Sequence, residues 1–189
     1  MLELLTTEAF EGLVAAQADR TLPVWIEPFG CRMASVQARR GAAEALATRV
    51  AERFGVAPPA GPRRAAAGDL AWIGTGPGAW LVASGPGGPS IPDLRDALAG
   101  LASVADQSGG LGLLRLGGPQ AANLLARGVF LDLHETAFPP GSAAGSVLAH
   151  VGVTLWRLER DLFELAVPRS FAPAVAHWLA EATADVAGV

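Results

Sequence analysis

The stretch from Asp106 to Trp178 constrains this chain more than any other, because its apolar periods, turns and helix stops agree on one order of elements. An apolar run at 111–116 meets Gly118-Pro119, and a short helical pattern follows in which Ala121, Leu124 and Leu125 share a face. Gly128 is placed to stop that helix. A long strand is expected next, roughly 147–158, and the charged turn Glu159-Arg160-Asp161 reverses it into a second strand at 162–167. Ser170 then reads as the N-cap of a last helix, with Phe171, Val175, Trp178, Leu179 and Ala182 along one stripe.

The upstream part repeats this order. Residues 34–39 alternate as a strand, and Gly41 leads into a helix with Ala43, Leu46, Ala47, Val50 and Phe54 on one face, ended by Gly55. Residues 56–68, VAPPAGPRRAAAG, read as a Pro-rich loop that joins no ladder. A hairpin follows, 70–73 and 79–83 around the Gly/Pro turn 74–78. Ser90 with Asp93 resembles a capping box for a helix presenting Ile91, Leu94, Leu98 and Leu101, and 103–107 fits a strand. Set side by side, VQARRGAAEALATRV echoes LLRLGGPQAANLLARGV, and WIGTGPGAWLVAS echoes LWRLERDLFELAVP.

These echoes give an α+β fold class: two ferredoxin-like strand-helix-strand-strand-helix halves, about 33–107 and 108–186, around one core in a single domain spanning 29–189. Residues 1–28 stand apart as an N-terminal arm or edge segment. Phe10, Leu13 and Val14 fit a short helix starting near Thr7, and 22–26 fit an edge strand, since Pro23 and Pro28 disfavour a central one.

Composition narrows the function classes. A hydrophobic content of 51% against 17% charged residues excludes global disorder. Gly, Pro and charge interrupt every apolar run well short of the roughly 18 to 20 residues of a membrane span. The acidic start, MLELLTTEAFEG, lacks the pattern of a signal peptide, so a cytoplasmic location is expected. The single Cys31 allows no internal disulfide and no multi-cysteine metal site. All 14 basic residues are arginine, the net charge is −4, and only Arg39-Arg40 and Arg63-Arg64 pair up, which argues against nucleic acid.

Candidate chemistry is sparse. Gly74, Gly76 and Gly78 follow a strand but run back into a strand where a phosphate site needs a helix N-terminus, so tight turns explain them better. His134, His150 and His177 lack a ligand at metal spacing; His177 is expected in solvent and His150 within a strand. Ser108 and Ser142 lie outside a nucleophile elbow, and Cys31 beside Arg32 reads as inert. Asp106 and Asp132 each stand at the end of a predicted strand, the place where a polar residue meets a cofactor. The simpler role is a turn: Asp106 accepting backbone N–H bonds in D-Q-S-G, and Asp132 capping FLDLHET. Of the five tryptophans, Trp72, Trp156 and Trp178 take core phase, while Trp80 is expected as an exposed anchor for a partner. Trp25 and Arg169 complete the expected subunit-interface set, and no catalytic or metal-binding residue is assigned.

The ordered set D-x-S, the strand closed by L-G-G-P-x-A, LLARGVFLDL, F-P-P-G and LxRxxxDLFELAVPRSFAPAVAHWL resembles the gamma subunit of bacterial heterotetrameric sarcosine oxidase. The similarity continues upstream through GTGPGAWLV to 34–54 and weakens before Pro28. The resemblance implies the fold of the folate-binding part of the glycine-cleavage aminomethyltransferase. It also implies a non-catalytic structural subunit of a complex that oxidatively demethylates sarcosine and passes the one-carbon unit to tetrahydrofolate. FAD, FMN, NAD, tetrahydrofolate and zinc are then implied on the alpha, beta and delta subunits, with none bound by this chain. Alternatives are a stand-alone folate-binding, aminomethyltransferase-like module, or a gamma-like subunit of another N-methyl amine oxidising complex.

Overall fold

The computed structural model describes residues 9–12 and 19–187. In chain order the elements are β1 (Trp25–Phe29), β2 (Arg32–Ala38), α1 (Ala43–Phe54), β3 (Arg64–Ala67), β4 (Leu70–Gly76), β5 (Ala79–Ser84), α2 (Ile91–Ala97), β6 (Ala102–Asp106), β7 (Leu111–Gly117), α3 (Ala121–Ala126), β8 (Ala143–Leu148), β9 (Val151–Glu159), β10 (Leu162–Pro168) and α4 (Ala172–Ala187). They form two compact units. Unit I holds residues 31–108 with 140–145; unit II holds the remainder.

Each unit is built on one antiparallel five-stranded sheet, β3-β4-β5-β2-β6 in unit I and β1-β7-β10-β9-β8 in unit II. The orders are the same once the elements are matched by rank: β2, β5, β4 and β3 stand where β7, β10, β9 and β8 stand. The fifth strand comes from elsewhere in each case. β6 immediately precedes β7 in sequence yet pairs with β2, and β1 immediately precedes β2 yet pairs with β7. The two halves therefore exchange their leading strands. The α+β class is what the sequence pattern predicts, but each repeat runs strand-helix-strand-strand-strand-helix, one strand more than expected between its helices, and the exchange adds Trp25–Phe29 to the sheet of the second repeat.

Within unit I the alternation of β-strand side chains decides the core. Ala34, Val36, Trp72, Trp80 and Val82 point to one face and pack with Leu46, Val50, Ile91, Leu94 and Leu98 from the helices. Burying each of the larger aliphatic side chains stabilises the fold by roughly 1.5 to 3 kcal/mol. Helix α1 ends at Gly55, whose φ of 69° lets its N–H reach Ala51 O, a turn that a β-carbon would strain. Helix α2 starts at the capping box read from the sequence, with Ser90 and Asp93 exchanging side-chain and backbone bonds.

Several expectations are corrected. Residues 64–67 do join a ladder, pairing with β4 from Arg64↔Ile73 to Ala67↔Leu70. The prolines of that segment end at Pro62, so RAAA keeps every N–H a strand needs. The single strand expected at 147–158 is two strands, β8 and β9, reversed at Ala149 and His150, which sit at φ 48° and 68°. His150 thus lies in a turn. Phe171 belongs to a short 3-10 turn, Arg169–Phe171, and is half exposed, so Ser170 lies inside that turn and Ala172, not Phe171, begins the buried stripe of α4. The helix expected near Thr7 with Leu13 and Val14 falls outside the described residues; residues 9–12 are a turn with Phe10 buried.

Candidate functional site

Two arrangements in unit II concentrate charge, and the sequence reading pairs the residues of neither. The first is a row across four strands. Glu27 on β1, Arg115 on β7, Glu164 on β10 and Trp156 on β9 lie directly opposite one another in register. Glu164 is only 6% exposed. Its Oε1 accepts from Arg115 Nε at 2.9 Å and Nη2 at 2.5 Å, and its Oε2 accepts from Trp156 Nε1 at 2.6 Å. The Arg115 guanidinium also lies over the Phe29 ring at 4.7 Å, with Glu27 4.0 Å away. Every strong acceptor of the buried carboxylate is thereby satisfied, the condition under which a charge tolerates burial. The signal was in the sequence: LGLLRLGG and LFELAVP each hold one charge, of opposite sign, in the middle of an apolar strand.

The second arrangement is an open cleft of about 410 Å³ between the 131–135 loop, α3 and the turn joining β9 to β10. Arg157, 3% exposed, pins its floor. Nη1 donates to Leu133 O at 3.2 Å and Phe138 O at 2.7 Å, Nε to Arg160 O at 2.9 Å, and Nη2 to Arg160 O as well, while Phe163 lies 4.9 Å below. One cation thus ties the loop and the turn together through carbonyls. Arg160 reaches Glu135 at 3.5 Å, and His134 Nδ1 lies 2.8 Å from Thr136 Oγ1. The remaining carboxylates of the cleft, Asp132 and Asp161, pair with no cation among the described residues.

The residues singled out from sequence do not converge. Asp106 ends β6 in unit I, and its Oδ1 accepts from Ser108 N at 2.8 Å. That backbone bond, then the Ser108 hydroxyl, hold its carboxyl below the ordinary range. Asp132 follows no strand; it lies beyond an isolated bridge between Val129 and Leu148, and its Oδ1 accepts from His134 N at 2.9 Å. Both aspartates thus hold turns. Trp25 is buried at the edge of the unit II sheet, with the Arg20 guanidinium 3.5 Å over its ring and Gly117 leaving it room. Trp80 is not exposed. At 7% exposure it sits on the helix-facing side of the unit I sheet, edge-on to Trp72 at 5.9 Å, with Nε1 donating to Pro59 O at 2.8 Å. Its neighbourhood to a Gly/Pro turn suggested exposure, but the alternation of β5 sends it inward. Arg169 lies in the 3-10 turn before α4, its N–H on Gly110 O at 2.9 Å. His177 is in solvent, 3.5 Å from Glu181. Among the described residues no three His, Cys, Asp or Glu side chains gather as metal ligands, and no helix is long and apolar enough to cross a membrane.

An α+β chain built on two topologically matched antiparallel sheets has the fold of the aminomethyltransferase type. The glycine cleavage system aminomethyltransferase T from Bartonella henselae shares it, with a TM-score of 0.58 at 15% identity over 85% of this chain and 46% of that one. A chain of heterotetrameric sarcosine oxidase from Corynebacterium sp. U-96 is closer to it, with a TM-score of 0.85 and 26% identity over 98% of both chains. Sarcosine oxidase subunits gamma from Corynebacterium sp. (strain P-1) and Arthrobacter sp are 31% and 30% identical, over 77% and 80% of this chain and 69% and 75% of theirs. Residues 39–185 match the family described as sarcosine oxidase, gamma subunit family, and the chain belongs to that family.

Proposed function

We propose that this chain is the non-catalytic, structural gamma subunit of a heterotetrameric sarcosine oxidase in the cytoplasm. In that assembly alpha, beta and delta subunits carry FAD, FMN, NAD, tetrahydrofolate and zinc, and the complex demethylates sarcosine. Residues 29–189 act as its gamma-like domain, with 1–28 as an N-terminal arm or edge segment whose last residues enter the edge strand β1. The observation that carries this reading is the end-to-end match to a chain of the Corynebacterium complex. The buried polar chemistry supports it. A pterin needs a carboxylate with a free edge, and both oxygens of Glu164 are already taken by Arg115 and Trp156.

Purification from the native host through a tag on this chain, followed by an absorbance spectrum, tests the reading. A flavin-coloured assembly with three other subunits is expected. A colourless, unaccompanied chain that binds tetrahydrofolate would overturn it in favour of a stand-alone aminomethyltransferase-like module.

A further inference from the structure

Phe130 is 81% exposed, an unusual position for a phenylalanine in a well-fixed loop. The residues around it are held firmly. Val129 is buried, donates its N–H to Leu125 O at 2.9 Å and bridges to Leu148, while Leu133 is buried with its carbonyl on Arg157. The ring is therefore presented by an ordered frame, and little conformational entropy is left to lose when something covers it. The next residue, Leu131, lines the cleft that holds Asp132 and Asp161. Acidic side chains outnumber basic ones there, Asp132, Glu135 and Asp161 against Arg157 and Arg160. Arg157 is sunk and turned toward carbonyls, and Arg160 reaches Glu135, so a visitor meets the two unpaired aspartates.

We infer that Phe130 and the adjoining cleft dock another subunit of the complex, through an apolar socket for the ring flanked by a lysine or arginine for Asp132 and Asp161. This rests on the subunit reading above. A rigid aromatic anchor beside carboxylates that pair with no cation is the composition of an interface centre, where few side chains carry most of the affinity. The acidic rim adds steering, which acts on the association rate and fades with salt.

The test uses the intact complex purified through a tag on this chain, with dissociation followed by dilution. Phe130→Ala is expected to weaken assembly by about tenfold or more, while Phe130→Leu retains most of it. Thermal melts of the tagged full chain should coincide for wild type and both variants, because the ring is exposed. Asp132→Asn with Asp161→Asn should slow association about threefold or more at low ionic strength and match wild type at high salt. If wild type assembles and Phe130→Ala assembles with the same dissociation, this docking surface is wrong and the subunit reading stands. If wild type brings down no other subunit, both fall together.

Discussion

The two sheets share a topology but not a chemistry, and the contrast is sharpest in one row. The end of the central antiparallel strand pair sets the correspondence: Ala38 N donates to Gly78 O in unit I as Gly118 N donates to Asp161 O in unit II. Counting back from those bonds, Ser35 stands for Arg115, Leu81 for Glu164, Ile73 for Trp156 and Ala105 for Glu27. Unit I crosses its sheet there with Ala-Ser-Leu-Ile, unit II with Glu-Arg-Glu-Trp. On the opposite face the pattern reverses toward likeness, because Trp80 corresponds to Phe163, both central and both buried. The two sheets thus share one buried central aromatic position and differ across the other face. An apolar row is stable whatever its neighbours, whereas a buried carboxylate depends on each partner.

The largest expected effect tests the shared face. Trp80→Ala removes a buried indole and should destabilise the chain by about 3 to 5 kcal/mol in a denaturant melt. A loss below about 0.5 kcal/mol, the size of a surface change, would mean the ring is exposed after all and break the correspondence with Phe163. Next comes the divergent row. Arg115→Ala leaves Glu164 with Trp156 alone, and a cost of about 2 to 3 kcal/mol is expected, tempered because Arg115 is partly exposed. Installing the unit I residues, Arg115→Ser with Glu164→Leu, should recover part of that loss. A double variant as unstable as the sum of its singles would deny the coupling.

This contrast also explains what could be read from the sequence. Elements whose ends carry their own chemistry were legible: Gly55 stopping α1, Ser90 and Asp93 opening α2, Glu159-Arg160-Asp161 turning β9 into β10. What failed were features set by partners far away in sequence. Arg115 and Glu164 are 49 residues apart, and nothing local says that they meet. The leading strand β1 pairs across nearly half of the chain with β7, so its sheet could not be assigned from neighbours. The reversal at Ala149-His150 failed for a different reason. Its residues are ones that helices and strands also use, so apolar alternation ran through it unbroken.

That reversal is the next comparison. Its counterpart in unit I, between β3 and β4, is Gly68-Asp69, where Gly68 takes a φ of 54° without penalty. Unit II places Ala149 and His150 in the same left-handed region, which costs each about 1 kcal/mol or more relative to glycine. Ala149→Asn with His150→Gly supplies the favoured hairpin pair. Thermal melts should show a gain of about 1 kcal/mol or slightly above. An unchanged or lowered midpoint would mean that the turn is stabilised by its own side chains and is not strained relative to the unit I turn.

The smallest effect concerns how the last helix of each repeat begins. Helix α2 opens on a capping box, whereas α4 is entered through the 3-10 turn of Arg169–Phe171, which has no side-chain cap. Ser90→Ala should therefore cost unit I about 0.5 to 1 kcal/mol, while Ser170→Ala costs unit II less. The Ser90 hydroxyl first, then the Ser90 N–H, hold the Asp93 carboxyl below its ordinary 3.8. A carboxyl depressed in the folded state adds stability above its unfolded value and loses it as pH falls through the folded one. The gap between wild type and Ser90→Ala should accordingly be full at pH 7 and narrow once the pH drops below that ordinary value. It should not close completely, because the Asp93 N–H still donates to the Ser90 hydroxyl after the carboxylate is protonated. A gap that stays constant into acid would assign the whole cap to that neutral bond and leave the carboxylate no part in starting the helix.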